Sequence, residues 1–283
     1  MHKHVVTRFA PSPTGRLHLG HAWSALLAHD RARASNGRFL LRMEDIDQTR
    51  CRAEFVEGII EDLRWLGLEW DGAVMIQSAR MPAYADAIAL LEAMGLLYRC
   101  TCTRADIAAA ASAPQGETGA LYPGTCRGKA IGPDTLLPWS WRLDVEAAMA
   151  RTGRLGWTEE DAGEIRATPE ILGDPVLARK DAGTSYHLAV TVDDAAQGVT
   201  HVVRGRDLFA ATHVHRLLQA LLLLPVHDYR YHRLVVGVDG ERLAKRKAAP
   251  TLAALRASGV DPAELVRNLR SGRFPIGFAL QEE

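Results

Sequence analysis

Apolar residues fall in two registers along this chain, and the switching between them predicts most of its elements. The run HVVTRFA at 4–10 is rich in apolar and β-branched residues and reads as a buried strand. PSPTG must then turn, because Pro11 and Pro13 cannot continue a hydrogen-bonded ladder. From 19 to 34, Leu19, Trp23, Leu26 and Leu27 recur at helical spacing, and Asn36-Gly37 closes the helix. A second strand is predicted over 38–45, then a helix over about 50–66 with Phe55, Ile59, Leu63 and Leu66 on one face. Strand, helix, strand, helix is the rhythm of a parallel α/β sheet.

The pattern continues with an amphipathic helix over 79–95. It breaks between about 98 and 130, where Cys, Thr, Pro and Gly replace regular periodicity apart from a short alanine-rich helix, as an inserted module would. WSWRLDV at 139–145 reads as a strand with alternating faces, and 174–205 reads as three strands separated by turns. A helix over 207–222, a hairpin-like stretch over 229–247, and two tail helices over 250–258 and 262–271 complete the reading. LLQALLLLPV at 217–226 is the most apolar stretch; it is too short to span a bilayer, ends in proline, and reads as a buried helix. The organisation expected is a first α/β half over 1–97, an insert over 98–180, a second half over 181–247 and a short helical tail over 248–283.

Composition changes this picture little. The 283 residues are 47% hydrophobic, enough for a large core, and the formal net charge is zero, so any nucleic-acid surface has to be local. The opening MHKHVVTRFAPSP lacks the apolar run of a signal peptide, and a soluble, cytoplasmic protein without membrane partners is expected. Four cysteines are too few for a disulfide scaffold of this size. Cys51 reads as a core residue of a helix. Cys100, Cys102 and Cys126 cluster within 27 residues and suit a structural zinc site, for which spacing alone leaves the fourth ligand open.

The chemistry concentrates at RLHLGH, where His18 and His21 follow the Pro-rich turn. A strand, a tight turn and a helix N-terminus make an anion site: the first N–H groups are unpaired and the dipole is positive there. Three residues apart on a first turn, both imidazoles can face one bound group, with Gly15 and Gly20 allowing close backbone approach. Neutral or protonated, they would donate to phosphate oxygens where charge builds up in a transition state.

The whole run RFAPSPTGRLHLGH resembles the first signature of class I aminoacyl-tRNA synthetases, in the form used by their glutamyl branch. That resemblance implies a Rossmann-type catalytic domain that activates an amino acid with Mg²⁺-bound ATP. It requires a lysine loop later in the chain, and ERLAKRKAAP at 241–250 is similar to it. Lys245 matches the lysine that stabilises departing pyrophosphate, while Arg242 and Ala244 replace the usual lysine and serine. The same resemblance places L-glutamate against Arg8, Ala10, Ser12, Glu44, Tyr186 and Arg204. Guanidinium forks suit the two carboxylates, and Glu44 suits the ammonium.

The cysteine pattern with YPGTC is similar to that of glutamyl-queuosine tRNA(Asp) synthetases, a shorter class I group, and that likeness makes Tyr122 the fourth zinc ligand beside Cys100, Cys102 and Cys126. Only 36 residues follow Lys247, too few for a helical anticodon-binding region. The likeness implies a monomer that activates glutamate without tRNA and esterifies the queuosine base of tRNA(Asp). Three readings stay open beside it: a short glutamyl enzyme charging a tRNA 3′ end, a nucleotidyltransferase acting on a small molecule, and a non-catalytic tRNA-binding paralogue.

Overall fold

The computed structural model describes residues 4–103, 105–107, 121–132, 135–179, 182–237, 240, 243 and 250–282. Its first half follows the expected order, with one short strand, β3, that the sequence reading lacked: β1 (Val6–Phe9), α1 (Leu19–Arg33), β2 (Arg38–Met43), α2 (Ala53–Trp65), β3 (Met75–Ile76) and α3 (Met81–Ala93). β1, β2 and β3 pair in parallel, with Val6 opposite Arg38 and Arg42 opposite Met75. The side of α1 against this sheet is built from small residues as much as large: Ala22, Ala25, Ala28 and Ala32 are buried with Leu19 and Leu26, whereas Trp23 and Leu27 are half-buried. Small side chains bring the helix close enough for Thr7 Oγ1 to donate to the Ala28 carbonyl at 2.7 Å. Asn36, at φ +49°, turns the chain out of α1, a backbone region that Asn tolerates better than most residues. Leu19, Leu41 and Leu63 are fully buried in this core, and each contributes about 1.5–3 kcal/mol.

The second half runs β4 (Leu97–Cys100), β5 (Ser140–Leu143), α4 (Val145–Thr152), β6 (Gly156–Glu159), β7 (Gly163–Arg166) and β8 (Val176–Arg179). It continues with α5 (Tyr186–Ala196), β9 (His201–Gly205), α6 (Phe209–Leu221) and β10 (Asp228–His232). The chain closes with β11 (Val235–Gly237), α7 (Leu252–Ala257), α8 (Pro262–Arg270) and β12 (Phe278–Leu280). β10 lies between β9 and β6, parallel to both, and β7 adds antiparallel to β6. Residues 156–166 thus extend this sheet, although they fall within the stretch read as inserted. β9 enters beside β1, where the Thr200 N–H donates to the Val6 carbonyl at 2.9 Å and Thr200 Oγ1 accepts from the Val6 N–H at 2.8 Å. The crevice at the carboxyl ends of β1 and β9 is the switch point at which open α/β sheets bind ligands.

Four expectations need correction. The span 174–205 holds two strands with a helix between them: LAVTV suggested a strand, but α5 buries Leu188 and Ala189 against α3 and α6. Among the described residues of 229–247 no hairpin pairing forms: β10 pairs in parallel with β9, and β11 pairs with β12 some forty residues on, Val235 opposite Leu280. Cys51 is half-buried in the loop before α2 rather than within a helix. The apolar run at 217–226 is helical only to Leu221; Leu223 follows at φ +53° and is exposed. The alanine-rich helix expected near 108 lies largely outside the described residues. No described helix is long and apolar enough to cross a membrane.

Candidate functional site

His18 is the N-cap of α1 and His21 its third residue. Their side chains form a reciprocal capping box: His18 Nδ1 accepts from the Gly20 N–H at 3.1 Å, and His21 Nδ1 accepts from the His18 N–H at 3.2 Å. The rings lie 3.9 Å apart between centroids. Gly20 makes this possible, since a Cβ there would meet His18 Cε1 at 3.1 Å. No such crowding exists at Gly15, where a Cβ would meet open space. Burial lowers His18 to about 4 and, with the neighbouring ring, His21 to about 3. Both imidazoles are therefore neutral at physiological pH. With Nδ1 used as the acceptor, each carries its proton on Nε2. Two helix-end N–H groups expected to face an anion are thus taken up by the rings, which present Nε2–H donors of their own.

These histidines line one cavity of about 380 Å³ together with Arg8, Ala10, Ser12, Glu44, Tyr186 and Arg204. The structure so brings together every residue read from the sequence as contacting glutamate. Lys245 lies outside the described residues; its neighbour Leu243 is buried against the α1 core and lines the same cavity.

The two arginines differ in their surroundings. Arg8 Nε donates to Asp194 Oδ1 at 3.0 Å, and fully buried Arg42 donates to the same oxygen at 2.7 Å and to Glu44 Oε1 at 3.0 Å. Two cations and two carboxylates cancel in this network. Burial raises the pKa of Glu44 while Arg42 and Arg8 oppose the shift; burial also acts upward on Asp194, but the same two guanidiniums outweigh it and hold its carboxyl well below the usual range. Arg204, also buried, has only neutral partners among the described residues: Thr212 Oγ1 at 2.5 Å, Tyr186 Oη at 3.4 Å and His215 Nδ1 at 3.4 Å. Its guanidinium lies 5.4 Å from the Tyr229 ring and 5.8 Å from that of Tyr231, and its Nε has no hydrogen-bond partner. A buried, uncompensated cation on a cavity wall is a ready partner for a carboxylate.

Sequence reasoning missed Arg42, Asp194, Thr212, His215 and His232, the last of which also lines the cavity. The signal for the first two was present: Arg42 interrupts the apolar strand RFLLRM, and Asp193-Asp194 interrupts the apolar face of α5. Asp193 accepts from Gln77, Arg80 and Tyr84 and ties α5 to α3.

In the second cluster the Cys100, Cys102 and Cys126 sulfurs all lie within 4.8 Å of one another. Cys100 Sγ is 3.3 Å from Tyr122 Oη, which also accepts from the Cys126 N–H at 2.8 Å. Cys102 Sγ and Cys126 Sγ are 3.5 Å apart, near the separation of about 3.8 Å that two thiolates keep around a tetrahedral zinc. Despite burial, hydrogen bonds from the Thr101 backbone and its neighbours bring Cys126 down to about 7, while burial holds Cys102 up at about 11. The donor set is compatible with a closed structural zinc site.

A histidine-capped helix at the switch point of a parallel sheet is the arrangement expected of a class I aminoacyl-tRNA synthetase catalytic domain, and the comparisons place the chain in that class. Residues 4–277 match the family model for the catalytic domain of class I tRNA synthetases of the E and Q types, and the chain belongs to that family. Among curated relatives, the glutamyl-Q tRNA(Asp) synthetase of Rhodobacter capsulatus is 52% identical over 93% of this chain and 99% of its own length. That of Symbiobacterium thermophilum is 44% identical over 93% and 84%. Within its class, the chain is a member of the glutamyl-Q tRNA(Asp) synthetase family. The fold is similar to a solved glutamate-tRNA synthetase from Elizabethkingia anophelis, with TM-score 0.77 at 24% identity, over 94% of this chain and 61% of that one. It is also similar to methionyl-tRNA synthetase of Mycobacterium tuberculosis, with TM-score 0.59 at 10% identity.

Proposed function

We propose that this enzyme activates L-glutamate with ATP and transfers the glutamyl group to the queuosine base in the anticodon of tRNA(Asp). The observation that carries the glutamate reading is the buried Arg204 guanidinium, which has no carboxylate hydrogen-bond partner among the described residues. The buried Arg8–Arg42–Glu44–Asp194 network is balanced, and Arg204 adds one positive charge without a carboxylate partner. Glutamate brings two carboxylates and one ammonium, a net charge that Arg204 neutralises. Glutamine would leave that buried guanidinium unpaired. The RNA substrate rests on the relatives, which bear the name of glutamyl-Q tRNA(Asp) synthetases.

Arg8 and Arg204 hold the carboxylates, Glu44 and the backbone at Ala10 receive the ammonium, and Ser12 and Tyr186 add polar contacts. The α-carboxylate attacks the α-phosphorus of ATP in line and pyrophosphate leaves. His18 and His21 donate their Nε2–H groups to phosphate oxygens without bringing a charge of their own, and Lys245 supplies the cation for the leaving group. Mg²⁺ bound with ATP shields the phosphates. A hydroxyl of the queuosine cyclopentenediol then attacks the adenylate carbonyl and AMP departs, with the adenylate phosphate able to take the proton. Cys100, Cys102, Cys126 and Tyr122 would hold zinc as a structural staple for the strands β4 and β5.

Incubation with ATP, radiolabelled glutamate and queuosine-containing tRNA(Asp), followed by nuclease mapping, tests this function. Label in the anticodon-loop fragment is the expected result. Label at the 3′-terminal adenosine would mean a short glutamyl-tRNA synthetase instead.

A further inference from the structure

Behind Arg204 lie two imidazoles, buried His215 and half-buried His187, that the reaction above does not use. Arg204 approaches His215 Nδ1 at 3.4 Å through both terminal nitrogens, and His215 Nε2 lies 3.2 Å from His187 Nδ1. A guanidinium only donates, so His215 Nδ1 must accept. Its proton then sits on Nε2 and is given to His187 Nδ1, which places the His187 proton on Nε2 in turn. The tautomers are fixed along the whole chain by Arg204. Burial, together with the Arg204 charge, keeps both rings neutral, His187 at about 4 and His215 well below its usual value. The contrast with Arg8 is direct: Arg8 is oriented by a carboxylate, Asp194, whereas Arg204 is oriented by Thr212, Tyr186 and His215, none of which carries charge.

We propose that His215, braced by His187, is a positioning residue that fixes the Arg204 fork with a neutral acceptor, so that the whole guanidinium charge is left for the side-chain carboxylate of the amino acid. This rests on the glutamate reading above and goes beyond it, because it assigns discrimination against glutamine to a residue behind the pocket wall. A carboxylate in the place of His215 would hold the arginine equally well but cancel its charge. An amide would hold it and leave the charge intact.

The test is glutamate-dependent ATP–pyrophosphate exchange and calorimetric glutamate binding with the wild-type chain, His215→Gln, His215→Asp and His215→Leu, each checked by thermal melting. His215→Asp is expected to raise the glutamate KM and Kd by about tenfold or more with the KM for ATP unchanged, and to narrow the preference for glutamate over glutamine. His215→Gln is expected to stay within about threefold of wild type, and His215→Leu to fall between. Should His215→Asp not fold, His215→Leu against His215→Gln decides: equal glutamate KM in the two would overturn the proposal, as would an unchanged KM in a folded His215→Asp. Absence of glutamate exchange in the wild-type chain would be a different failure, that of the glutamate reading itself.

Discussion

The catalytic crevice and the cysteine corner are both built from polar side chains brought together across long stretches of sequence, yet they are held in different ways. The crevice sits on a parallel sheet, and its charged groups are locked by buried partners: Asp194 between Arg8 and Arg42, Arg42 against Glu44, and Asp193 tying α5 to α3. The corner has a small core of its own, in which Cys100, Tyr122 and Cys126 are the buried residues and Tyr98, Cys102, Ile107 and Ile131 pack around them. A site of the first kind is preorganised by the fold and needs no ligand to exist. A site of the second kind depends on what its donors bind, because so little apolar area stands behind it.

The sharpest way to break the first region is to remove its shared anion. Asp194→Asn leaves two buried guanidiniums facing each other, and denaturant unfolding should show a loss of about 3–5 kcal/mol. Replacing one imidazole is next. His21→Ala removes an Nε2–H donor to phosphate and a capping partner, and glutamate-dependent exchange should fall by about a hundredfold in kcat with the fold intact by circular dichroism. In the second region the corresponding perturbation is metal removal. Chelation should strip amide protection from β4, β5 and the segment around Tyr122, as read by hydrogen exchange. Glutamate activation should stay within about twofold, since the two sites are separate. Collapse of exchange activity on chelation would erase the distinction between the regions. Tyr122→Phe should weaken zinc retention against a chelator by about tenfold without lowering the metal stoichiometry at saturation.

Acid stability offers a separate check. His18, His21 and His187 have folded-state values of about 4, about 3 and about 4, below their ordinary 6.5. The unfolded chain therefore binds more protons than the folded one between those limits, and stability falls as pH drops from 6.5 toward 4. Their contribution is fully present above pH 6.5. His21→Asn should flatten this slope in urea melts recorded between pH 4.5 and 7.

Much of this was legible in the residues. Strong periodicity placed α1, α2 and α3 within a few positions, and the Pro-rich turn located the histidine pair before any geometry was known. The failures share a cause: pairing partners far off in sequence. Nothing local to 235–237 announces that it pairs with 278–280, and LAVTV in α5 carries a strand-like composition that only its packing against α3 and α6 overrides. The cavity wall was legible where it rests on single strand ends, as with Arg8, Glu44 and Arg204. The network behind the wall was not, because Asp194, His187 and His215 acquire meaning only when α5 and α6 are set beside β1 and β9.

The account turns on a chain that makes glutamyl-adenylate unaided, with Arg204 demanding a carboxylate. The most direct test is ATP–pyrophosphate exchange by the purified chain with no RNA present, run with L-glutamate and with L-glutamine. The account predicts robust exchange with glutamate and at least about a hundredfold less with glutamine. Exchange that is absent with both, or equal with both, would contradict it.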